Sequence, residues 1–394
     1  MSWLSDSLGE FWKRGDKLLL GLCTLLTLYG IALIYTATRF TGSTRSAVVQ
    51  AAGMVLGIFL YILLSSVDFE LFTQRSWKGL LPFCLIFILS TLSPWGTEYN
   101  GNRSWLQIPH FPVTIQPAEV AKVFFVLLLA FQFSRQREKG DISTIPSVMA
   151  TAGHTLLMIG VIAVASGDFG MAMIYGIIFL VMAWAAGVRG RWFALAFGSA
   201  GAMADLVFHK FSNDVHLRRI TVVIDHIRGN QETIYEQTKG IGWQQTRSIL
   251  AIASGGLFGQ GYGRGIQTQS PYRTSLPARF DDEIFAVCGE ELGLVGCALL
   301  LCLLVAIVLR CVWVAQRANS YQSALIAMGM AGMLFAQVCI NVGMCLYIFP
   351  VVGITLPFVS SGGTSLITMY AAMGVVSSIK TRALPSWLQD RSQL

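Results

Sequence analysis

The sequence predicts an all-α polytopic membrane protein that forms a single integral membrane domain over residues 1–394, and three observations support this prediction. Apolar residues make up 54% of the chain and charged residues only 12%, whereas soluble domains carry roughly 25% charged residues. The mean hydropathy is +0.61, and apolar blocks of membrane length follow one another from residue 18 to residue 379. These values exclude disordered and fibrous proteins, disulfide scaffolds and ordinary soluble enzymes. The cysteines agree, because nearly all lie in apolar runs and none forms a C-x-x-C pair.

About ten segments are predicted to cross the membrane, since a bilayer core requires about 20 mostly apolar residues per helix. The predicted spans are 18–37, 46–65, 79–93, 118–134, 146–166, 169–187, 192–209, 283–309, 321–347 and 356–379. The third and fourth segments are short for this purpose.

The distribution of lysine and arginine predicts that both termini lie in the cytoplasm. With that orientation, the cytoplasmic segments hold 15 of the 28 basic residues and the short outer loops hold three. The net charge of +7 is then explained mainly by topology, and no nucleic-acid partner is expected. The unusual segments 94–117, 166–170, 210–282 and 348–365 all lie outside, with 210–282 as one large extracellular loop. Function is therefore expected at the outer face.

Glu119 and Lys122 are candidate functional residues at the start of the fourth span. They lie three residues apart and therefore share one helical face. Pro117 and Glu119 are also ordinary residues for the first turn of a helix. Lys122 belongs to a strongly apolar stretch and needs a partner charge or a water-filled cavity, which favours a functional site over a side chain that snorkels to the interface.

A second charged group, 279–283, opens the eighth span with the sequence R-F-D-D-E. Asp281 or Asp282 fits the N-cap position of a helix, and a cap and a catalyst are equally compatible with this pattern. Glu290 lies about 12 Å further along the helix, which is too deep for a cap. Because Glu290 shares a face with Glu283, at least one acid is expected to line a polar cleft.

Two outer turns add further candidates. Residues 350–365 are rich in proline and glycine and cannot form a regular helix throughout, and irregular backbone at membrane depth requires a protein-lined site or cavity. The sequence S-S-G-G-T at 360–364 offers free N–H groups ahead of a helix, which suits an anion or a phosphate, with a plain helix start as the alternative. Asp168, in the turn 166–170, is by default a turn aspartate.

A longer set of motifs extends along the chain in a fixed order. The motifs are Arg103-Ser-Trp105-Leu106, Gln116-Pro-Ala-Glu119-x-x-Lys122, Asp168-Phe-Gly170, Gly242-Trp-Gln244, Ser248-x-x-Ala251-Ile-Ala-Ser254-Gly-Gly-Leu257-x-Gly259-x-Gly261, Asp282-x-Ile284-Phe-Ala-x-x-x-Glu290-Glu-x-Gly293, Asn341-Val-Gly343-Met344 and Gly353-Ile-x-Leu356-Pro-Phe358-x-Ser360-x-Gly362-Gly363. Together they resemble the SEDS family, the group that contains RodA, FtsW and SpoVE, over nearly the whole chain. Each motif alone is weak, whereas the ordered set is highly specific. The short terminal segments favour a RodA-type member.

The resemblance implies a peptidoglycan glycosyltransferase of the bacterial cytoplasmic membrane. Such enzymes polymerise lipid II into β-1,4 glycan strands at the outer face of that membrane, for cell-wall elongation, cell shape or division. They work with a class B penicillin-binding protein, which is a transpeptidase. The family's essential aspartate matches Asp282, and its Q-P-S-E-x-x-K motif matches Glu119 and Lys122.

The implied chemistry assigns roles to these candidates. We expect Asp282 to be the base for the acceptor hydroxyl, with Lys122 near it as an electrostatic partner and Glu119 holding Lys122. The residues expected to bind substrate, including the departing pyrophosphate, are Arg103, Trp105, Gln116, Asp168, Arg279, Glu290, Ser360, Gly362, Gly363 and Thr364. No cofactor is certain. A divalent cation, Mg²⁺ or Mn²⁺, is compatible with a pyrophosphate site, although the sequence does not identify its ligands. Membrane lipids are further expected partners.

The chain also departs from the family pattern close to the expected substrate. An acid, a histidine, a glutamine and a tyrosine of the family are replaced by Ala278, Phe280, Arg247 and Ser361. Two other functions stay open: a transporter or flippase for lipid II, and an inactive scaffold that activates a class B penicillin-binding protein. Acids at outer helix ends and the lack of an evident repeat favour chemistry over transport, and the retained charged residues argue against a scaffold.

Overall fold

The computed structural model describes residues 9, 11–99, 102–107, 114–210, 215–272 and 275–382, and this part of the chain is mostly helical. In chain order the helices are α1 (Lys17–Thr38), α2 (Arg45–Leu64), α3 (Phe69–Leu89), α4 (Pro117–Lys139), α5 (Ile145–Val161), α6 (Phe169–Ala185), α7 (Gly190–Lys210), α8 (Val215–Arg228), α9 (Ile234–Thr238), α10 (Trp243–Gly255), α11 (Ile284–Gln316), α12 (Tyr321–Cys345) and α13 (Gly363–Arg382). An antiparallel hairpin, β1 (Gly96–Tyr99) and β2 (Asn102–Leu106), precedes α4. The helical membrane fold is confirmed, whereas the hairpin was not predicted.

Seven of the described helices are long and apolar enough to cross a membrane. They are α1, α2, α3, α4, α5, α11 and α12, two of which, α3 and α5, extend to Leu92 and Ser166 once the adjoining turns are included. Helix α6 is apolar but shorter. Each of the ten predicted spans overlaps one helix, so the chain is a multi-pass membrane protein. The number of helices that cross the membrane, like the orientation, remains a prediction.

Several predicted boundaries are wrong because hydropathy does not detect polar helix ends. Helix α3 begins at Phe69, well before the third predicted span, and the Asp68 side chain caps it by accepting a hydrogen bond from the N–H of Leu71 (3.0 Å). Helix α4 continues to Lys139, so the fourth span is not short. The last helix begins at Gly363, later than predicted, because the preceding proline- and glycine-rich segment stays irregular.

The segment 210–282 was predicted as one large outer loop, and it contains helices α8, α9 and α10. Within it, 211–214 and 273–274 lie outside the described residues. Helix α10 packs along α11. The part of this segment that leads into α11 is therefore folded against the helical bundle.

Packing among α2, α4, α6, α11, α12 and α13 positions the candidate residues. Helix α12 packs against α4, α6 and α11, and α13 packs against α2. The contact between α13 and α2 depends on Gly374, because a Cβ atom there would lie 2.9 Å from the carbonyl oxygen of Tyr61. Hydrogen bonds among the starts of α4, α6, α11 and α13 show that these four helices begin at the same end of the bundle.

Candidate functional site

The irregular segment before α13 is tied to the start of α11. The side-chain Nδ2 of Asn341 on α12 donates to the carbonyl oxygens of Asp282 (2.8 Å) and Ile354 (2.7 Å). The hydroxyl of Ser360 donates to the carbonyl oxygen of Asp281 (2.6 Å). These contacts enclose non-helical backbone within the protein, which is the condition that irregular backbone at membrane depth must meet.

The carboxylate of Asp282 is half-buried and uncommitted. Within the described residues, hydrogen bonds reach its carbonyl oxygen, but neither a hydrogen bond nor an ion pair reaches its carboxylate. Gly353 lies beside it, and a Cβ atom on this residue (φ +71°) would be 3.8 Å from Oδ2. Burial raises the pKa of Asp282 to about 6, and the charge of Asp168 contributes. The carboxylate is therefore mostly ionised at neutral pH and free to accept a proton.

The flanking acids Asp281 and Glu283 differ from Asp282. Burial, with a contribution from the charge of Asp282, raises the pKa of each to about 8, so both are mostly protonated at neutral pH. The fully buried Glu283 accepts a hydrogen bond from Nε2 of Gln244 (3.0 Å). Glu283 also occupies the N-cap position of α11, and its side chain makes no capping hydrogen bond. The alternative interpretation of Asp281 or Asp282 as the N-cap is therefore wrong.

Glu119 and Lys122 form a buried ion pair. The Nζ atom of Lys122 lies 2.6 Å from Oε2 of Glu119, and both side chains are almost inaccessible to solvent. Ser365 and Gln337 each donate a longer hydrogen bond (3.4 Å) to the same carboxylate. No described contact joins Lys122 to Asp282. The expected hold of Glu119 on Lys122 is therefore present, and an electrostatic effect of Lys122 on Asp282 stays a prediction.

Asp168 connects two of the predicted motifs. Its side chain caps α6 by accepting a hydrogen bond from the N–H of Met171 (2.9 Å), and it accepts another from Nε2 of Gln116 (2.9 Å). Burial raises the pKa of Asp168, and the charge of Glu119 adds to this effect. Asp168 in turn raises the pKa of Asp282. Asp168 therefore links the Glu119–Lys122 pair electrostatically to the free carboxylate of Asp282.

The hairpin of β1 and β2 is hydrogen-bonded to the turn that contains Asp168. The hydroxyl of Ser104 donates to the carbonyl oxygen of Ser166, in the turn before α6 (3.3 Å). Arg103 donates through Nη2 to the carbonyl oxygen of Ser93 (2.9 Å), and Trp105 is partly buried. A guanidinium group has five N–H donors, so Arg103 remains a candidate for binding an anion.

The predicted anion seat at 360–364 is partly occupied by protein contacts. The N–H of Gly362 donates to Oε1 of Gln50 (3.3 Å), and the hydroxyl of Thr364 donates to the carbonyl oxygen of Thr114. In the described part of the chain, the N–H groups of residues 363–365 have no hydrogen-bond partner. These groups begin α13, and a helix N-terminus attracts negative charge. Of the predicted anion site, the first turn of that helix therefore keeps donors that are available to an anion.

Arg279 and Glu290 bind the loop residues 267–272 and 276 that precede α11. The buried guanidinium of Arg279 donates to the carbonyl oxygens of Gln267, Thr268, Ser270, Tyr272 and Leu276. The buried carboxylate of Glu290 accepts hydrogen bonds from the N–H of Gln267 (2.7 Å) and from the N–H and hydroxyl of Thr268 (2.8 and 2.6 Å). Both side chains therefore have a structural role in this loop, and the binding of substrate by them stays a prediction.

The variant Arg279→Met is expected to loosen the loop 267–276. Several buried carbonyl groups would lose their donor, and one unsatisfied buried group costs about 1–3 kcal/mol. We expect a lower melting temperature in detergent and faster cleavage of this loop by proteinase K. The exposed Arg264 lies three residues before this loop, so Arg264→Met is the matched control. Equal effects of the two variants would contradict the role of Arg279.

The pH dependence of the reaction is expected to follow the titration of Asp282. An aspartate that acts as a base must be ionised, and its raised pKa places the midpoint of the rise in activity near pH 6, about two pH units above an ordinary aspartate. The variant Asp168→Asn removes a charge that raises this pKa and keeps a residue suited to capping. Rate–pH profiles should show a lower midpoint for Asp168→Asn, and an unchanged midpoint would contradict this coupling.

The sequence comparisons identify the family. A family model described as Cell cycle protein, FtsW/RodA/SpoVE, matches residues 16–384. The chain belongs to the FtsW/RodA/SpoVE family. Among SEDS relatives, the peptidoglycan glycosyltransferase MrdB of Escherichia coli (strain K12) is 29% identical over 377 residues, which are 94% of this chain and 95% of that protein. Stage V sporulation protein E of Bacillus subtilis (strain 168) is 31% identical over 376 residues, 93% of this chain and 97% of that protein.

Solved structures show that the SEDS fold extends over the chain. The crystal structure of Thermus thermophilus RodA matches with a TM-score of 0.67 at 23% identity, over 95% of this chain and 99% of that chain. A chain from a peptidoglycan synthase complex, solved to describe the coordination of polymerization and crosslinking, matches with a TM-score of 0.76 at 24% identity, over 96% and 99%. At these identities the likeness establishes the fold alone.

In this SEDS protein, sequence reasoning named Asn341 only as part of a motif and missed Gln337 and the contacts of both amides. Gln337 contacts Glu119, and Asn341 holds the carbonyl oxygen of Asp282. The two amides lie four residues apart and therefore share one helical face. A pair of amide side chains inside an apolar span was the signal that could have found them.

Proposed function

We propose that this SEDS protein is a peptidoglycan glycosyltransferase that polymerises lipid II at the outer face of the bacterial cytoplasmic membrane. Relatives named peptidoglycan glycosyltransferase cover more than nine-tenths of the chain, which supports the reaction class. The observation that carries the proposal is the carboxylate of Asp282, which is ionised at neutral pH, half-buried and without a partner among the described residues. A base with these properties suits proton abstraction from a sugar hydroxyl.

In the proposed reaction, Asp282 accepts the proton of the acceptor 4-hydroxyl while that oxygen forms a bond to the anomeric carbon of the donor. The bond between this carbon and the pyrophosphate oxygen breaks, and its electron pair leaves with the lipid pyrophosphate. Attack from the face opposite the leaving group converts the α-linked donor into a β-1,4-linked product. The raised pKa of Asp282 makes it a stronger base than an ordinary aspartate.

The departing pyrophosphate needs positive potential. The unpartnered N–H groups of residues 363–365 at the start of α13 and the guanidinium of Arg103 are the proposed donors. Lys122 neutralises Glu119 within their ion pair, so the pair adds no net charge. Among the described residues, Asp168 then contributes negative charge beside the base, which strengthens the base.

A divalent cation at the pyrophosphate stays a prediction, because Mg²⁺ bound by phosphates needs only one or two carboxylates of the protein. The described residues contain no group of three or more histidine, cysteine, aspartate or glutamate side chains arranged to hold a metal ion. We assign no step of the reaction to a cation.

We further propose that the chain works with a class B penicillin-binding protein in cell-wall elongation, cell shape or division. The structural neighbour from a peptidoglycan synthase complex supports such a pairing. Polymerisation of labelled lipid II, measured for the purified chain with and without a co-expressed class B protein, tests both parts of the proposal. Faster strand synthesis with the partner supports the pairing, whereas no synthesis in either sample would contradict the polymerase assignment.

A further inference from the structure

A groove of about 460 Å³ lies between α3, α4 and α5, away from Asp282. Residues of all three helices line it, most of them from the second half of α4. Arg135 in this groove follows Glu119 by 16 residues on the same helix, which corresponds to about 24 Å along the axis. The groove is therefore separate from the proposed active site and near the opposite end of α4.

The groove combines an apolar floor with a cationic rim. Leu128 and Phe131 belong to the floor, together with leucine and proline side chains of α3. Lys78, Arg135 and Lys139 form the rim, and all three are exposed. No acidic residue lines the groove in the described part of the chain. This division matches an amphiphile with a negatively charged head.

Two of the three rim cations are held in place by an aromatic ring. The guanidinium of Arg135 and the ammonium of Lys78 lie 5.2 and 5.7 Å from the ring centre of Trp77, within the range of cation–π interactions. The Trp77 ring also packs on Phe131, with 5.7 Å between ring centres. In the described part of the chain, neither these two cations nor Lys139 forms a salt bridge with an acid. Their charges are available to an external anion.

The position of the groove favours a phospholipid as the anion. Its walls are helices long and apolar enough to cross a membrane, so its floor meets acyl chains and not water. Basic pockets between membrane helices at the cytoplasmic side bind anionic headgroups, and the predicted orientation places this end of α4 there. Basic residues that served only to set the orientation of the chain in the membrane would not need to border a cavity.

One polar atom in the groove further restricts the type of headgroup that can bind there. The Nε2 atom of Gln136 donates to the carbonyl oxygen of Ser147 (3.0 Å), whereas its buried Oε1 atom has no donor among the described residues. A headgroup hydroxyl can donate to Oε1, and a choline headgroup cannot. We propose that the groove binds one anionic phospholipid with a hydroxyl-bearing headgroup, namely phosphatidylglycerol, with its phosphate at the rim cations and an acyl chain on the apolar floor.

Lipid binding to the purified full-length chain, titrated in detergent and followed by native mass spectrometry, tests this proposal. Phosphatidylglycerol should bind more tightly than phosphatidylcholine with the same acyl chains. The double variant Lys78→Gln with Arg135→Gln should lose roughly 25-fold in affinity for phosphatidylglycerol, since each cation near an anionic headgroup contributes about a factor of five. The variant Ala150→Phe fills the groove and should weaken both lipids.

The matched control removes two cations from the same helices that do not line the groove, Arg75→Gln with Arg137→Gln. This control should keep the wild-type preference for phosphatidylglycerol, and all variants should keep their lipid-free melting temperature within a few degrees. Equal binding of the two lipids by the wild type would overturn the proposal. So would an equal loss in the control variant, which would indicate diffuse attraction to the basic surface.

Discussion

The variant Asp282→Asn is expected to polymerise lipid II at least about 100-fold more slowly than the wild type, because a positioned general base accelerates a reaction by about 10²–10⁴-fold. Asparagine has nearly the shape of aspartate but does not accept the proton. The Asp282 carboxylate has no hydrogen bond to lose among the described residues, so the fold should persist. Initial rates of glycan-strand formation in detergent, with melting temperatures of the same samples, measure both effects.

The neighbouring acid provides the control for this variant. Burial raises the pKa of Asp281 to about 8, so its side chain is mostly neutral at pH 7 and asparagine is a close substitute. Asp281→Asn should therefore retain a rate near that of the wild type. A wild-type rate for Asp282→Asn, or an equally large loss for Asp281→Asn, would show that Asp282 is not the base.

The variant Lys122→Met is expected to destabilise the protein by about 3–5 kcal/mol, because it leaves a buried charge without its partner. Glu119 would keep its carboxylate in a site almost inaccessible to solvent, with weak donors at 3.4 Å as its remaining contacts. The double variant Glu119→Gln with Lys122→Met removes that charge and should recover most of the lost stability. Thermal unfolding in detergent measures the three proteins under the same conditions.

An exposed ion pair of the same chain serves as the control for the buried pair. Arg189 and Asp141 are 2.7 Å apart, with side chains 59% and 42% exposed, and such pairs contribute about 0–1 kcal/mol. Arg189→Met should therefore change the melting temperature little. A similar small change for Lys122→Met would contradict the structural importance of the buried pair.

The sequence predicted the helical membrane architecture because length and hydropathy of a segment are local properties. Each predicted span overlaps a helix. The start of α3 was missed because its cap, Asp68, and the polar residues after it lower the local hydropathy. Helices α8, α9 and α10 were missed inside a segment interpreted as a loop, since short or amphipathic helices lack a long apolar run.

The candidate site was predicted less completely, because burial and hydrogen-bond partners depend on the tertiary structure. The pairing of Glu119 with Lys122 follows from their spacing on one helix. The different roles of Asp282 and Glu290 do not follow from the sequence, since a free carboxylate and a carboxylate that holds a loop have the same sequence signal. Asp168 was interpreted mainly as a turn residue, and only the fold brings Gln116 to its side chain.

Strand synthesis by the purified protein, with lipid II in detergent micelles, tests the central claim most directly. Micelles provide no second compartment, so a transporter or flippase has nothing to accomplish there. We predict glycan strands that a β-1,4-specific muramidase degrades, with a rate that rises around pH 6 as the carboxylate of Asp282 ionises. Absence of strands in the presence of a class B partner, together with transfer of lipid II across vesicle bilayers, would contradict the polymerase assignment and favour transport.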